Sequence, residues 1–180
     1  MSKFSISPAT SNDIRQLTYL VNNAYRGEQA KKGWTHEADL IEGTLRIDET
    51  SLRKLLLVPF SLILKCTDEN NRTIGCVYLE NQGAKMYLGM LSVLPEMQAH
   101  GIGKLLLLEG EAYAQKHNCT SVVMTVISVR HELIEWYKRR GYEPTGDKKP
   151  FQEDKRFGIP TKPIEFIVME KKIKSEKFKM

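Results

Sequence analysis

Hydrophobic and polar positions follow two periods along the chain, and the change between them marks its first elements. The two classes alternate over residues 3–7, which predicts a β-strand. The apolar positions then take a helical spacing that ends near Tyr25, and Thr10 or Ser11 is a suitable N-cap. The chain is therefore expected to open with a strand and an amphipathic helix.

Residues 26–49 interrupt this pattern with glycines and charged side chains. They predict a long loop that contains a short helix around Glu37–Glu42. Asp48 or Thr50 is then a suitable N-cap for a second helix over residues 51–57. The pattern thus predicts two helices joined by a long polar connection.

Apolar runs in the middle of the chain predict β-strands. The runs 61–67 and 74–80 flank the turn-forming segment Asp68–Arg72, so they are expected to pair as an antiparallel hairpin. Residues 85–93 predict the next strand. Beyond a glycine-containing loop, the pattern predicts a helix to about His117, a strand over 121–128, a helix over 131–140, an irregular stretch over 143–163 and a final strand over 164–173.

Length and composition indicate one domain. A chain of 180 residues with 41% hydrophobic residues can bury one sizeable core. We assign a single α/β (α+β) domain to residues 1–173 and a basic C-terminal tail to residues 174–180. The chain has no apolar run of membrane-spanning length, and its first residues lack the apolar core of a secretory signal. We therefore expect a cytoplasmic location and no membrane partner.

Charge and metal-binding residue types narrow the functional classes. The net charge is +5, but residues 171–180 alone carry five lysines and one glutamate. The rest of the chain is close to neutral, so we expect a solvated tail and no nucleic-acid partner. The three cysteines and four histidines lack metal-ligand spacing, and no metal site is predicted.

The segment from Leu91 to Lys104 carries the most specific signal. It predicts a strand, a tight glycine turn and the start of a helix, an arrangement that can hold a pyrophosphate on free backbone N–H groups. The phosphate-binding loop GxxxxGK[ST] needs glycine and a hydroxyl residue where this chain has Gln98 and Leu105. The dinucleotide fingerprint GxGxxG fails as well, because Leu106 stands where it needs glycine. A Gln-x-x-Gly-x-Gly pattern remains.

This pattern resembles the acyl-CoA pyrophosphate loop of the GNAT superfamily of N-acyltransferases. The later segment Trp136-Tyr137-Lys138-Arg139-Arg140-Gly141-Tyr142 resembles the second GNAT signature, and the two stand in the family's order. The resemblance covers nearly the whole chain. It implies a mixed, mostly antiparallel central sheet flanked by helices, whose fourth and fifth strands run parallel and splay apart. It also implies acetyl-CoA as the acyl donor.

The resemblance assigns residues to the donor site. Main-chain groups of Leu91 and Val93 would hold the pantetheine arm and the thioester. In the family, a tyrosine four residues before the glycine of the second signature lies near the CoA sulfur; here it is Tyr137, the expected general acid for the leaving thiolate. The loop would cradle the pyrophosphate mainly through its backbone N–H groups, with these residues: Gln98, Ala99, His100, Gly101, Ile102, Gly103 and Lys104.

The resemblance does not identify the general base that takes the proton from the amine. In the histone-lysine branch of the superfamily, a glutamate occupies the position of Tyr87. The remaining carboxylates are Glu80 and those of the 26–49 segment, among which we select Glu37 as the candidate base. Arg130 stands where many relatives carry asparagine, and its role stays open between a CoA phosphate contact and solvent exposure.

The family places acceptor recognition on the connection between the first two helices. Residues 26–49 are therefore expected to form one wall of the substrate site. Acidic residues outnumber basic ones in this segment, which favours a small cationic amine as acceptor. Parts of the segment are also similar to bacterial-type members of the superfamily that form a subgroup. The candidate substrate-binding residues are Tyr25, Glu28, Trp34 and Glu37.

The resulting hypothesis is an N-acetyltransferase that moves an acetyl group from acetyl-CoA to a primary amine by direct attack in a ternary complex. A protein lysine or N-terminal acetyltransferase is the alternative within enzymes. A non-catalytic acetyl-CoA-binding sensor or assembly module is the alternative of another class, and the presence of Tyr137 argues against it. Many members of the fold dimerise, but no surface pattern in the sequence selects a homodimer.

Overall fold

The computed structural model describes residues 3–174. Its strands are β1 (Ser5–Pro8), β2 (Ile41–Glu42), β3 (Ser61–Thr67), β4 (Thr73–Asn81), β5 (Lys85–Val93), β6 (Ser121–Ile127), β7 (Glu143–Pro150), β8 (Ile159–Pro160) and β9 (Glu165–Lys172). Its α-helices are α1 (Ile14–Tyr25), α2 (Gly27–Ala30), α3 (Glu49–Leu57), α4 (Ile102–Lys116) and α5 (His131–Lys138). Residues 175–180 of the predicted tail lie outside the described residues. None of the helices within the described range is long and apolar enough to cross a membrane.

Seven strands form one mixed sheet in the order β1-β3-β4-β5-β6-β9-β7. Every neighbouring pair is antiparallel except β5 and β6, which run parallel. These are the strands predicted as fourth and fifth, because the short strand β2 precedes them and pairs separately with β8. The predicted mixed, mostly antiparallel sheet with helices around it is confirmed.

The parallel strands β5 and β6 pair only where they begin. Lys85–Tyr87 pair with Ser121–Val123, although the strands continue to Val93 and Ile127. Beyond the paired residues the strands separate and leave a cleft between their carboxyl-terminal halves. The sheet is therefore open at the point where the predicted pyrophosphate loop follows β5.

A β-bulge in β5 lies beside this cleft. The β4–β5 register shifts between Cys76 and Tyr78, so that Met90 and Leu91 both oppose Val77. Met90 has a φ of 54°, in the left-handed region that non-glycine residues rarely adopt. The bulge takes Met90 and Leu91 out of the regular ladder and leaves their main chain for other contacts.

Two glycines allow α4 to lie close against the sheet. A Cβ at Gly75 would lie 2.9 Å from Ile102 Cγ2, and a Cβ at Gly110 would lie 3.1 Å from Leu79 Cδ2. Ile102, in the first turn of α4, is 1% exposed. Since Gly75 is on β4, its missing side chain fixes the N-terminus of α4 over the centre of the sheet.

The predicted helix starts form as expected. Thr10 accepts a hydrogen bond from the Asn12 backbone N–H at 3.3 Å and caps the short turn that leads into α1. Asp48 caps α3 by accepting from the Ser51 N–H at 2.7 Å. α1 ends at Tyr25, and β3 and β4 form the predicted hairpin. Local sequence signals therefore set these boundaries.

Two local predictions are wrong. Residues 143–150, expected to be irregular, form the edge strand β7 against β9. All its side chains are exposed, so backbone pairing holds the strand and no apolar alternation marks it. Residues 37–42 contain turns and β2 in place of the expected helix, because Ile41 and Glu42 pair with Pro160 and Ile159. Periodicity cannot detect a pairing between two loops so distant in sequence.

Candidate active site

The loop between β5 and α4 forms a cradle of backbone N–H groups. Ala99 and Gly101 have φ angles of 70° and 78°, which turn successive N–H groups toward one side. α4 begins directly after Gly101, and the first N–H groups of a helix have no partner within it. Within residues 3–174, no N–H group from Ala99 to Lys104 donates to a protein acceptor. These donors, at the positive end of a helix dipole, suit a pyrophosphate.

The side chain of Gln98 ties this cradle to another loop. Its Oε1 accepts a hydrogen bond from the Trp34 backbone N–H at 2.9 Å. Its Nε2 donates to Thr35 Oγ1 at 3.0 Å and to the Val93 carbonyl at 3.1 Å. A Cβ at Gly33 would lie 2.4 Å from Gln98 Oε1, so a side chain there would displace the amide from these contacts. The cradle and residues 33–35 are therefore held together by one amide group.

A cavity of ≈ 200 Å³, which we call the loop cavity, lies between the cradle and α5. The indole rings of Trp34 and Trp136 lie in its wall with their centroids 6.3 Å apart. The Arg140 guanidinium stacks on Trp136, 3.7 Å from the ring centroid. The lining also includes Val93, Met97, Gln98, Ala99, Gly101, Ile102, Gly103, Lys104 and Leu133.

A second cavity of ≈ 170 Å³, which we call the cleft cavity, lies in the gap between β5 and β6. Residues of both strands line it, together with side chains from α1, α5 and the segment between α2 and α3. The two cavities meet beside the bulge of β5. They share four lining residues: Tyr25, Leu91, Leu133 and Tyr137.

Tyr137 lies on α5 at this junction and is 6% exposed. Its ring makes edge contacts with Trp136 and Tyr142, with centroid distances of 5.1 Å and 5.8 Å. Burial raises the pKa of its hydroxyl above the ordinary value of a tyrosine. The phenol therefore keeps its proton at neutral pH.

Tyr25 reaches the same junction from α1. Its hydroxyl donates a hydrogen bond to the Leu91 carbonyl, and burial raises its pKa as well. The Val93 carbonyl accepts from Gln98. The two carbonyls beside the expected path of the pantetheine arm thus already have protein donors, and Tyr25 fixes the main chain of the bulge.

Glu37 lies in the wall of the cleft cavity between two arginines. Arg26 Nε donates to Glu37 Oε2 at 3.2 Å, and Arg130 Nη1 lies 3.8 Å from Oε1. Arg130 also donates to the Thr35 carbonyl at 2.6 Å. All three charged side chains are at most 10% exposed. This buried ion cluster fixes the segment after α2 against α1 and the start of α5.

The structure distributes the predicted site residues unevenly. Of the predicted loop residues, all but His100 line the loop cavity. The exposed His100 ring turns back on the loop, with Nδ1 3.2 Å from the Met97 and Gln98 carbonyl oxygens. Trp34, predicted for the acceptor, lines the loop cavity instead of the cleft cavity. Glu28 pairs with Lys31 at the surface and lines neither cavity.

Sequence reasoning missed two arginines of the site. Arg140 stands four residues after Trp136, a helical spacing that could have signalled their stacking. Arg46 carries no such local signal. Its place is set by Asn22 on α1, whose Oδ1 accepts from the N–H groups of Arg46 and Ile47 at 2.6 Å and 3.0 Å.

The chain matches a protein-family model by sequence and solved structures by fold. A family model described as acetyltransferase (GNAT) family matches residues 18–142. A search of curated proteins finds no match. The chain is similar to the structure of the ribosomal-protein-S18-alanine N-acetyltransferase from Escherichia coli, with a TM-score of 0.72 and 14% identity over 98% of both chains. It is also similar to a variant of the spermidine N-acetyltransferase SpeG from Vibrio cholerae, with a TM-score of 0.68 and 14% identity over 96% of this chain and 95% of that one.

Proposed function

The chain belongs to the GNAT acetyltransferase family, and we propose that it moves an acetyl group from acetyl-CoA to the primary amine of a small molecule. One observation carries the proposal: the loop cavity, which begins at an anion cradle, meets the cleft cavity at Tyr137 and Leu91. Two reactants held in these cavities would have their reacting ends together, which is the main requirement of direct transfer.

The residues of the loop cavity fit acetyl-CoA. The unpaired N–H groups from Ala99 to Lys104 would hold the pyrophosphate, with Lys104 and Arg140 adding positive charge nearby. Val93 and Leu133 offer apolar walls to the pantetheine arm. When bound, acetyl-CoA would supply the acetyl group as a thioester that an amine can attack.

We assign Tyr137 the role of general acid. Its buried hydroxyl holds a proton that a departing thiolate needs, and it lies where the two cavities join. We propose that a backbone N–H group at the Leu91 bulge donates a hydrogen bond to the acyl oxygen as negative charge develops there. A preorganised donor of this kind is typically worth about 10²–10³ in rate.

The buried, protonated thiol of Cys76 supports direct attack of the amine in a ternary complex. This cysteine is the buried thiol beside the bulge, with its Sγ 3.8 Å from the Met90 carbonyl. Burial raises the pKa of the Cys76 thiol to about 12, so it is not a thiolate at neutral pH. An acetyl-cysteine intermediate therefore has no activated nucleophile at this place.

We propose a positioning role for Glu37 in place of the base role that its residue type suggested. Both oxygens of its carboxylate face guanidinium groups, from Arg26 and Arg130. Arg130 in turn binds the Thr35 carbonyl, next to the loop that Gln98 holds. Glu37 thus keeps both arginines in place around the cleft cavity.

Release of free thiol from acetyl-CoA, measured against a panel of amines, tests the proposal. We expect release that depends on one class of small amine, together with acetyl-CoA binding in calorimetry. Acetyl-CoA binding without amine-dependent release from any small amine, followed by release with a peptide amine, would favour a protein acceptor. Binding without release from either would favour a sensing module and contradict the proposal.

A further inference from the structure

A guanidinium group without a carboxylate partner lies in the wall of the cleft cavity. Arg46 lines this cavity and an adjoining one of ≈ 330 Å³, which we call the outer cavity. Tyr87, Gly89 and Met90 also line both, so the two spaces lie on either side of the same group of residues. Within residues 3–174, no carboxylate oxygen lies within 4.0 Å of the Arg46 side-chain nitrogens, and its guanidinium makes no hydrogen bond to protein.

Arg46 is nevertheless held firmly. The Asn22 amide fixes its backbone, with Nδ2 donating to the Ile47 carbonyl at 3.0 Å in addition to the two bonds that Oδ1 accepts. The Arg46 guanidinium stacks on the ring of Tyr25, with Cζ 4.3 Å from the centroid. Because Arg46 lines both cavities and its guanidinium donates to no protein group within residues 3–174, its donors are available to a ligand there.

The other charges around these cavities are already paired. Arg26 and Arg130 share Glu37, as described above. Asp154, in the wall of the outer cavity, pairs with Arg156 at 2.7 Å. The remaining acidic residues expected to attract a cation do not line the cleft or outer cavity; these are Glu28, Asp39, Glu42, Asp48 and Glu49. The excess charge facing the acceptor space is therefore positive.

We infer that the acceptor is a small amino acid whose carboxylate binds Arg46 while its amine faces the junction at Leu91 and Tyr137. This inference rests on the proposed function and replaces the expected cationic acceptor with a zwitterionic one. The planar guanidinium matches a carboxylate with two parallel hydrogen bonds. Tyr25 sets the separation of the two ends, because its ring lies against Arg46 and its hydroxyl binds the Leu91 carbonyl.

Matched substrates test the inference. Thiol release is measured for the common amino acids and, for each one acetylated, for its amide, its decarboxylated amine and its aminophosphonate analogue. We expect kcat/KM to be about 10- to 100-fold higher for the acid than for the amide, since one charge-assisted bidentate contact is lost. A preference for the aminophosphonate over the carboxylate would overturn the choice of a carboxylate.

Three variants test whether Arg46 causes the preference for the acid over the amide. Arg46→Met should reduce the acid-to-amide ratio of kcat/KM to near unity, and Arg46→Lys should keep part of it, because the charge remains without the planar fork. Arg53→Met is the matched control, since Arg53 is an exposed arginine of α3 near Glu49 and should leave the ratio unchanged. Thermal unfolding of each variant identifies any folding defect.

The outcomes separate this inference from the proposed function. Acetylation of acid, amide and amine at equal rates, a preference for polyamines, or a ratio that survives Arg46→Met would overturn it and leave N-acetyl transfer established. If no amine is acetylated, the proposed function fails. Calorimetry of N-acetyl amino acids with CoA present then decides the inference: binding that Arg46→Met abolishes supports it, and binding that is absent or unaffected overturns it.

Discussion

The loop cavity and the cleft cavity are built in different ways. The loop cavity takes most of its wall from two short stretches of chain, residues 91–104 and 133–140. The cleft cavity takes residues 87–91 from β5 and 124–127 from β6, but its charged side chains come singly from distant positions: Glu37, Arg46 and Arg130. A glycine loop keeps a recognisable sequence motif, whereas charged side chains that come from distant positions do not. The donor side of the site was therefore predicted from a sequence motif, whereas on the acceptor side Tyr25 and Glu37 were predicted and Arg46 was missed.

The two cavities differ in charge as well as in origin. The loop cavity offers main-chain N–H groups, whose function depends on backbone conformation and on Gly101 more than on side chains. The cleft cavity offers charged side chains, with Arg46 and Arg130 beside Glu37. Variation in acceptor specificity is expected at the second cavity, while the first stays constant.

Tyr137, which belongs to both cavities, should give the largest effect. Tyr137→Phe removes the hydroxyl and keeps the ring, so we expect kcat to fall about 10²-fold or more with little change in acetyl-CoA affinity. Tyr142→Phe is the control, because Tyr142 is buried but bonds Glu111 at 3.0 Å and lines neither cavity. Steady-state kinetics and calorimetry measure both. Equal kcat values for wild type and Tyr137→Phe would refute the acid role.

Substitutions that crowd α4 against the sheet should have the next largest effect. Gly75→Ala places a Cβ against Ile102 in the first turn of α4, so we expect a loss of about 1–3 kcal/mol in unfolding free energy and weaker acetyl-CoA binding. Gly110→Ala crowds the same helix farther from the cradle, against Leu79. It should change stability alone. Denaturant unfolding and calorimetry distinguish the two, and an equal loss of affinity in both would show that Gly75 does not set the cradle.

Substitution of Gln98, whose amide connects the cradle to the 33–35 loop, should have a smaller effect on acetyl-CoA binding. Gln98→Ala removes its three hydrogen bonds, and we expect acetyl-CoA to bind about 3- to 10-fold more weakly. Amide hydrogen exchange at Trp34 and Thr35 should become faster at the same time. Gln29→Ala, at an exposed glutamine of α2, serves as the control. Unchanged exchange at Trp34 would mean that the loop is held by other contacts.

Alkaline pH should give the smallest effect. Burial raises the pKa of Tyr137, so the folded state holds this proton more tightly than the unfolded state does. Its contribution to stability is complete below the ordinary tyrosine pKa of about 10 and is lost as pH rises through the folded value. Melting temperature should therefore decline above about pH 10, less steeply in Tyr137→Phe. Identical slopes in the two proteins would contradict this assignment.

Local signals predicted the parts of the fold that depend on neighbouring residues. The cap at Asp48, the β3–β4 hairpin and the glycine turn at Gly101 all follow from residues close in sequence. The β7 edge strand has no apolar alternation, and β2 depends on a distant partner, so periodicity missed both. The same limit applies to the site. Gln98–Lys104 were found from their motif. Arg46 is held at the cleft by a hydrogen bond to Asn22, and no residue spacing in the sequence predicts this contact.

A crystal structure with CoA and the acetylated product is the most direct test of whether donor and acceptor bind in the two cavities with their reacting ends together. We expect the pyrophosphate on the N–H groups from Ala99 to Lys104, the CoA sulfur beside the Tyr137 hydroxyl, and the product in the cleft between β5 and β6. A CoA bound with its sulfur away from Tyr137, or a product outside the cleft cavity, would contradict this expectation.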